Sequence, residues 1–132
     1  MSQIIHSRRV SIADSPPGPE DPPTLSLAAL TPQAGSADIA VIRQIAPPGI
    51  DGPLHSHDRD EVLIMLEGAL QVEANGGTIE LLAGDAALLP AKTTHQLRNT
   101  GAVDAQWMIV SRADLRFFLP DGAEVPAPPW TQ

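Results

Sequence analysis

Gly49-Ile-Asp-Gly-Pro-Leu-His55-Ser-His57-Asp-Arg-Asp-Glu61-Val-Leu-Ile-Met-Leu-Glu-Gly68 is the stretch on which the reading of this chain turns. It sets two imidazoles and a carboxylate close together and then runs into an unbroken apolar segment, Val62 to Leu66. Strand side chains alternate between faces, so His55, His57 and Glu61 share one parity and are expected to converge on one volume. A carboxylate that opens an apolar run loses its hydration unless a cation accompanies it, which favours a metal beside Glu61 over a plain solvated charge. Asp58, Arg59 and Asp60 read as a polar turn. Downstream, Gly84-Asp-Ala-Ala-Leu-Leu-Pro90-Ala-Lys-Thr-Thr-His95-Gln-Leu-Arg-Asn99 adds another imidazole. The candidate ligand set is therefore His55, His57, Glu61 and His95. His6 sits in no such pattern and reads as a surface or strand-edge residue.

The first stretch resembles cupin motif 1, G-x5-H-x-H-x3-E-x6-G, at Gly49, His55, His57, Glu61 and Gly68, with every spacing kept. The second resembles motif 2, G-x5-P-x-G-x2-H-x3-N, at Gly84, Pro90, His95 and Asn99, with Lys92 where the family has Gly. That departure bears on a turn and not on a ligand. If position 92 needs a positive φ, a side chain there costs on the order of 1 to 2 kcal/mol, which a folded barrel absorbs. The resemblance is to small single-domain metal cupins. It implies an all-β fold, a jelly-roll β-barrel of two antiparallel sheets.

The rest of the chain is consistent with that architecture. Residues 4–12 alternate in part and suggest a short strand or arm, and the proline-rich run from Ser15 to Pro23 lacks the backbone donors for a strand or helix. Thr24 to Leu30 is apolar enough to pack. The segment from Gly35 to Ala46, with Ile39, Val41, Ile42 and Ile45, reads as a strand covered on both faces. Val62–Leu66 and Leu70–Glu73 follow, then an Asn75-Gly76 hairpin signal, Thr78–Leu82, Ala86–Leu89, Gln96–Asn99 and Ala105–Ser111. Helical periodicity is visible only from Asp114 to Phe118. Short strands with turn signals at this spacing suit a sandwich or barrel. The expected organisation is one domain over 1–132, with an N-terminal arm and Pro-rich loop at 1–33, a barrel core at 34–119 and a C-terminal strap at 120–132 that ends near Trp130.

Composition removes several alternatives. The chain has no cysteine, so disulfides, thiolate-zinc and iron–sulfur sites are excluded. Sixteen acidic against eight basic residues give a net charge of −8, which opposes binding to a phosphate backbone, and nucleic acid is not an expected partner. No apolar run approaches membrane-spanning length and the N-terminus has no signal-peptide core, so the expected location is cytoplasmic, away from the membrane. No nucleotide loop or nucleophile triad is present. Strands apolar on both faces, Ile39–Ile45 and Val62–Leu66, call for cover beyond a single small jelly roll, and a homodimer is expected.

Three neutral imidazoles and one carboxylate leave a divalent transition-metal ion with a net positive charge and, if six-coordinate, two open positions. Iron, manganese, nickel, copper and zinc all suit the set, and calcium suits it least. The expected ligand is a small, oxygen-rich chelating molecule. Pocket-wall candidates are Leu63 and Met65, then Leu97 and Asn99 on the parity of His95, and Trp107. Gln44, Arg43, Gln71 and Gln106 are polar candidates that serve equally well as exposed strand residues. The resemblance implies a metal enzyme, with an oxidoreductase of the dioxygenase type ranked first. A metal-dependent isomerase, cyclase or lyase acting through an enolate comes second, and a non-enzymatic binding module is the reading from another class.

Overall fold

The computed structural model describes residues 24–31 and 36–126 of the chain. His6, the segment at 4–12, the proline-rich run at 15–23 and Trp130 lie outside the described residues.

Eleven strands follow one another in the order β1 (Leu25–Leu30), β2 (Ile39–Ala46), β3 (Ser56–His57), β4 (Glu61–Glu67), β5 (Ala69–Ala74), β6 (Gly77–Leu82), β7 (Ala86–Leu89), β8 (His95–Arg98), β9 (Ala105–Arg112), β10 (Phe117–Phe118) and β11 (Glu124–Val125). No helix occurs among the described residues. The helical pattern from Asp114 to Phe118 is overridden by a tertiary contact, because Phe117 pairs with both His57 and Val125 across strands. All pairings between strands are antiparallel, in sheets ordered β1-β2-β9-β4-β7, β11-β10-β3 and β6-β5-β8. The result is the all-β jelly-roll arrangement expected from the motifs. β1 falls within the first 33 residues and adds the edge of the largest sheet, with Ser26 opposite Gln44.

Local chemistry explains the turns. Asn75 and Gly76 both have positive φ, 53° and 72°, and connect β5 to β6 as the tight hairpin that Asn-Gly favours. Gly68, between β4 and β5, has φ 74°, and a Cβ there would lie 2.5 Å from the Asp104 carbonyl oxygen. Only glycine fits that crossing.

The two-residue period then sorts the strands. On β4, Glu61, Leu63 and Met65 are buried while Ile64 and Leu66 face outward. β2 buries Ala40, Ile42 and Ala46, with Val41 and Ile45 half-buried and Ile39 exposed. The cover expected on both faces of β2 is therefore nearly complete on the face of Ala40, Ile42 and Ala46, where only Gln44 is half-buried, and partial on the other, among the described residues. Trp107, Leu63, Met65, Leu70 and Val72 meet between the sheets to form the core. Each such side chain contributes roughly 1.5–3 kcal/mol through burial. This apolar layer backs the site and holds its strands in register.

Candidate metal centre

The four candidate ligands come from three places in the fold, His55 and His57 from the segment that forms β3, Glu61 from the start of β4 and His95 from the start of β8, and strand pairing brings them together. His55 and His95 form an isolated antiparallel bridge, with His55 N–H donating to the His95 carbonyl at 3.2 Å and His95 N–H donating back at 2.9 Å. His57 lies on β3 opposite Phe117 of β10. Glu61 begins β4, flanked by Leu89 and Ser111. His55 and His57 present their rings to one side, 4.8 Å apart between centroids, as strand parity requires. Parity does not carry on to Glu61, because the chain bends at Asp58 and Arg59 before β4 begins. The polar turn delivers the carboxylate instead. It is pinned by Asp58 Oδ1, which accepts from Arg116 N–H at 2.9 Å, and by Asp60 Oδ1, which accepts from Ala91 N–H at 2.8 Å.

The ligand atoms of His55, His57 and His95 all lie within 4.8 Å of one another. At an ordinary bond length, imidazole nitrogens on one ion stand about 3 Å apart when adjacent and about 4.2 Å apart when opposite, so the three rings lie within reach of a single metal once they close around it. Glu61 completes the ring of donors, with Oε2 3.2 Å from His57 Nε2 and Oε1 3.8 Å from His95 Nε2.

Hydrogen bonding settles which nitrogens are available. The Nδ1 atoms of His55, His57 and His95 meet the backbone carbonyls of Pro53 (2.9 Å), Arg116 (3.1 Å) and Thr93 (3.3 Å). A carbonyl only accepts, so each Nδ1 carries the proton and each Nε2 turns a lone pair toward the cluster. His57 Nε2, Glu61 Oε1 and His95 Nε2 are buried without a hydrogen-bond partner among the described residues. Buried acceptors facing one another at this distance need a cation between them, a proton or a metal ion. The residues therefore fit a divalent metal.

Electrostatics agree. Burial lowers the His95 pKa to about 4, with the nearby His55 adding to the effect, and burial likewise lowers His55. Both rings are neutral at neutral pH and ready to ligate. Burial by itself would raise the Glu61 carboxyl, but its interactions with the surrounding imidazoles, His57 foremost, outweigh it and hold the group below its ordinary value.

Lys92 has φ 62°, the left-handed conformation that the motif glycine normally supplies. Its N–H donates to the His57 carbonyl at 2.7 Å, so the strained turn is part of what positions the strand that carries His57.

A cavity of about 330 Å³ opens from the cluster and is bounded by His55, His57 and Glu61 at one end. Its walls are largely apolar. Among the expected wall residues, Leu97 and Trp107 line it. Leu63 and Met65 instead pack in the core. Asn99 is buried and structural, donating to the Ala46 and Val103 carbonyls while accepting from Gly101 N–H. Ile42, Ile50, Ile109, Leu115 and Phe117 complete the apolar wall and were not singled out from the sequence. The inward parity of Ile42 along β2 was a usable signal, whereas Phe117 reaches the cavity only through its long-range pairing with His57. Of the polar candidates, Gln44 lines the cavity. Arg43, Gln106 and Glu67 form a separate hydrogen-bonded chain.

Residues 42–111 match the family model described as Cupin domain. Auxin-binding protein 1 of Arabidopsis thaliana is 30% identical over 95 residues, which cover 64% of this chain and 48% of that protein. The chain thus spans about half the length of that relative. In structure, the polyketide cyclase RemF from Streptomyces resistomycificus is similar with a TM-score of 0.74 and 18% identity, covering 99% of this chain and 90% of that one. A predicted oxalate decarboxylase from Thermotoga maritima is similar with a TM-score of 0.67 and 22% identity, over 82% of this chain and 96% of that one. At these identities the structural likeness establishes the fold.

Proposed function

This chain belongs to the cupin family, and from that premise we propose that it is a mononuclear metal enzyme that binds a small, largely apolar molecule through a pair of oxygen atoms and oxidises it with dioxygen. The observation that carries the proposal is the set of donor atoms on His57, Glu61 and His95 that face one another without a partner among the described residues, beside an apolar cavity that His57 and Glu61 line. When bound there, a divalent transition metal polarises the chelating oxygens of the substrate and gives dioxygen a place to react.

The residues of the chain do the remaining work. His55, His57, Glu61 and His95 hold the ion, while the Pro53, Arg116 and Thr93 carbonyls fix the ring orientations. Ile42, Ile109 and Phe117 exclude water and accept the body of the substrate. Among the described residues, the cavity wall carries no carboxylate, imidazole, lysine, tyrosine or cysteine beyond the cluster itself. With no separate proton carrier at hand, oxygenation ranks above proton-shuttling chemistry. Both oxygen atoms of dioxygen end in product, so no outside reductant is required.

A second reading, isomerisation or cyclisation through an enolate, is favoured by Glu61. An ionised carboxylate at the cavity end, if left off the metal, is placed to take a proton from carbon.

Oxygen uptake by anaerobically iron-loaded protein, measured over a panel of enolisable and phenolic compounds beside Glu61→Gln, separates the readings. Uptake that depends on compound, iron and Glu61 supports the dioxygenase. Conversion without uptake transfers the assignment to the isomerase or cyclase, and tight chelation without product across the panel identifies a binding module.

A further inference from the structure

The cavity has a second polar pole away from the metal cluster, built by three residues on neighbouring strands. Ser26 of β1 lies opposite Gln44 of β2, and Gln44 lies opposite Trp107 of β9. All three line the cavity. Trp107 Nε1 stands 2.9 Å from Gln44 Oε1, and Gln44 Nε2 stands 3.0 Å from Ser26 Oγ.

The direction of this relay follows from chemistry alone. An indole N–H can only donate, so the Gln44 oxygen must be the atom that faces Trp107. The Gln44 amide nitrogen then donates to Ser26 Oγ. Ser26 is an acceptor in that bond, which leaves its own proton to be directed at an acceptor other than Gln44. Ser26 is 3% exposed and Trp107 2%, with Gln44 half-buried between them, so the two ends of the relay are buried, where a hydrogen bond to a ligand discriminates well.

Sheet register places the relay relative to the metal cluster. Gln44 and Trp107 occupy the row of Met65, whereas Glu61 shares its row with Ser111. Glu61 and Met65 are four residues apart on β4, about 13 Å along a strand. Apolar Ile42, Ile109 and Leu63 form the intervening row.

We propose that Ser26, oriented by Gln44 and Trp107, donates a hydrogen bond to the far end of the substrate. The substrate class is then an elongated, flat, mostly apolar molecule, aromatic or polyketonic, with chelating oxygens at one end and a carbonyl or ether acceptor about 10 Å away, given the strand rise. The apolar middle row suits an unsubstituted ring between those poles. This inference rests on the proposed metal chelation for one end of the molecule, and it adds Ser26 as a specificity-determining residue and Gln44 and Trp107 as positioning residues.

The test uses cobalt-loaded protein and two matched diketone chelators, 1-phenylbutane-1,3-dione and its para-acetyl derivative, which differ in the distal carbonyl. Affinity is read from the change in the cobalt spectrum. The wild-type protein should bind the para-acetyl compound roughly five- to tenfold more tightly, the discrimination expected of one neutral hydrogen bond. Ser26→Ala should abolish that preference, because the ratio of the two affinities reads the distal bond even though the same change removes the acceptor of the Gln44 amide and shifts both affinities together. Equal binding of the two compounds by the wild-type protein overturns the inference while leaving the metal reading intact. So does a preference that survives Ser26→Ala. If neither compound alters the cobalt spectrum, the metal reading fails and the inference falls with it.

Discussion

At the scale of single residues, two positions show how the fold absorbs local strain for the sake of the site. Lys92 sits at φ 62° because its amide must reach the His57 carbonyl. Lys92→Gly is expected to raise stability by about 1 kcal/mol, since relief of the left-handed strain exceeds the added flexibility of the unfolded chain. Urea denaturation of the two proteins measures it, and an unchanged or lowered midpoint would contradict the account. Gly68 is the opposite case, where a Cβ meets backbone at 2.5 Å and neither side can yield cheaply. The acid–base behaviour of the imidazoles also belongs at this scale. A folded-state pKa of about 4 for His95, below its unfolded value of about 6.5, means that the unfolded chain takes up the proton first as the pH falls. Metal-free protein should therefore lose stability between pH 6.5 and 4, on the order of 3 kcal/mol from this group. The same shift keeps His95 neutral, as a metal donor must be, to lower pH than the ordinary imidazole value of about 6.5, so metal-loaded protein should not lose its metal through protonation of this ring until the pH approaches 4. Thermal melts and metal titrations over that range check both statements.

At the scale of elements, the short strand β10 deserves as much weight as the motif strands. Its neighbour Arg116 offers the carbonyl that orients the His57 ring, and Asp58 holds the same residue through its N–H. Asp58→Ala is expected to weaken metal binding roughly tenfold, the usual scale for a lost supporting contact behind a metal ligand. Competition with a chromophoric chelator measures this, and an affinity within twofold of wild type would show that the β3–β10 pairing orients His57 unaided. Arg116 also stacks over Phe118 and pairs with Glu124, but these contacts are exposed and contribute little.

At the scale of the whole molecule, the outer face of β4 and β7 carries exposed apolar side chains among the described residues. Ile64, Leu66 and Leu88 are 37%, 45% and 59% exposed and cluster on neighbouring strands. An apolar patch of this kind on a small acidic protein suits self-association, and we propose a homodimer with this face as its interface. Sedimentation at micromolar concentration should give twice the single-chain mass, and Ile64→Glu with Leu88→Glu should reduce it to one chain. A single-chain mass for the unaltered protein would remove the proposal.

The sequence alone determined the all-β architecture, the Asn75-Gly76 hairpin and the pair His55 and His57, because each follows from short-range rules: alternation along a strand, the φ demands of a turn, the spacing of donors. His95 and Glu61 were identifiable as donors by motif and by the cost of an ionised group at the head of an apolar run. What joins them to the pair is tertiary. The bridge between His55 and His95, the bend that aims Glu61, and the approach of Phe117 to His57 all depend on residues far apart in the chain, whose pairing is chosen by global burial. The same holds for the cavity wall. Leu63, Met65 and Asn99 share a parity with ligands, yet parity states only which face a side chain occupies. Whether that face meets core or cavity is decided by what the opposing sheet places against it.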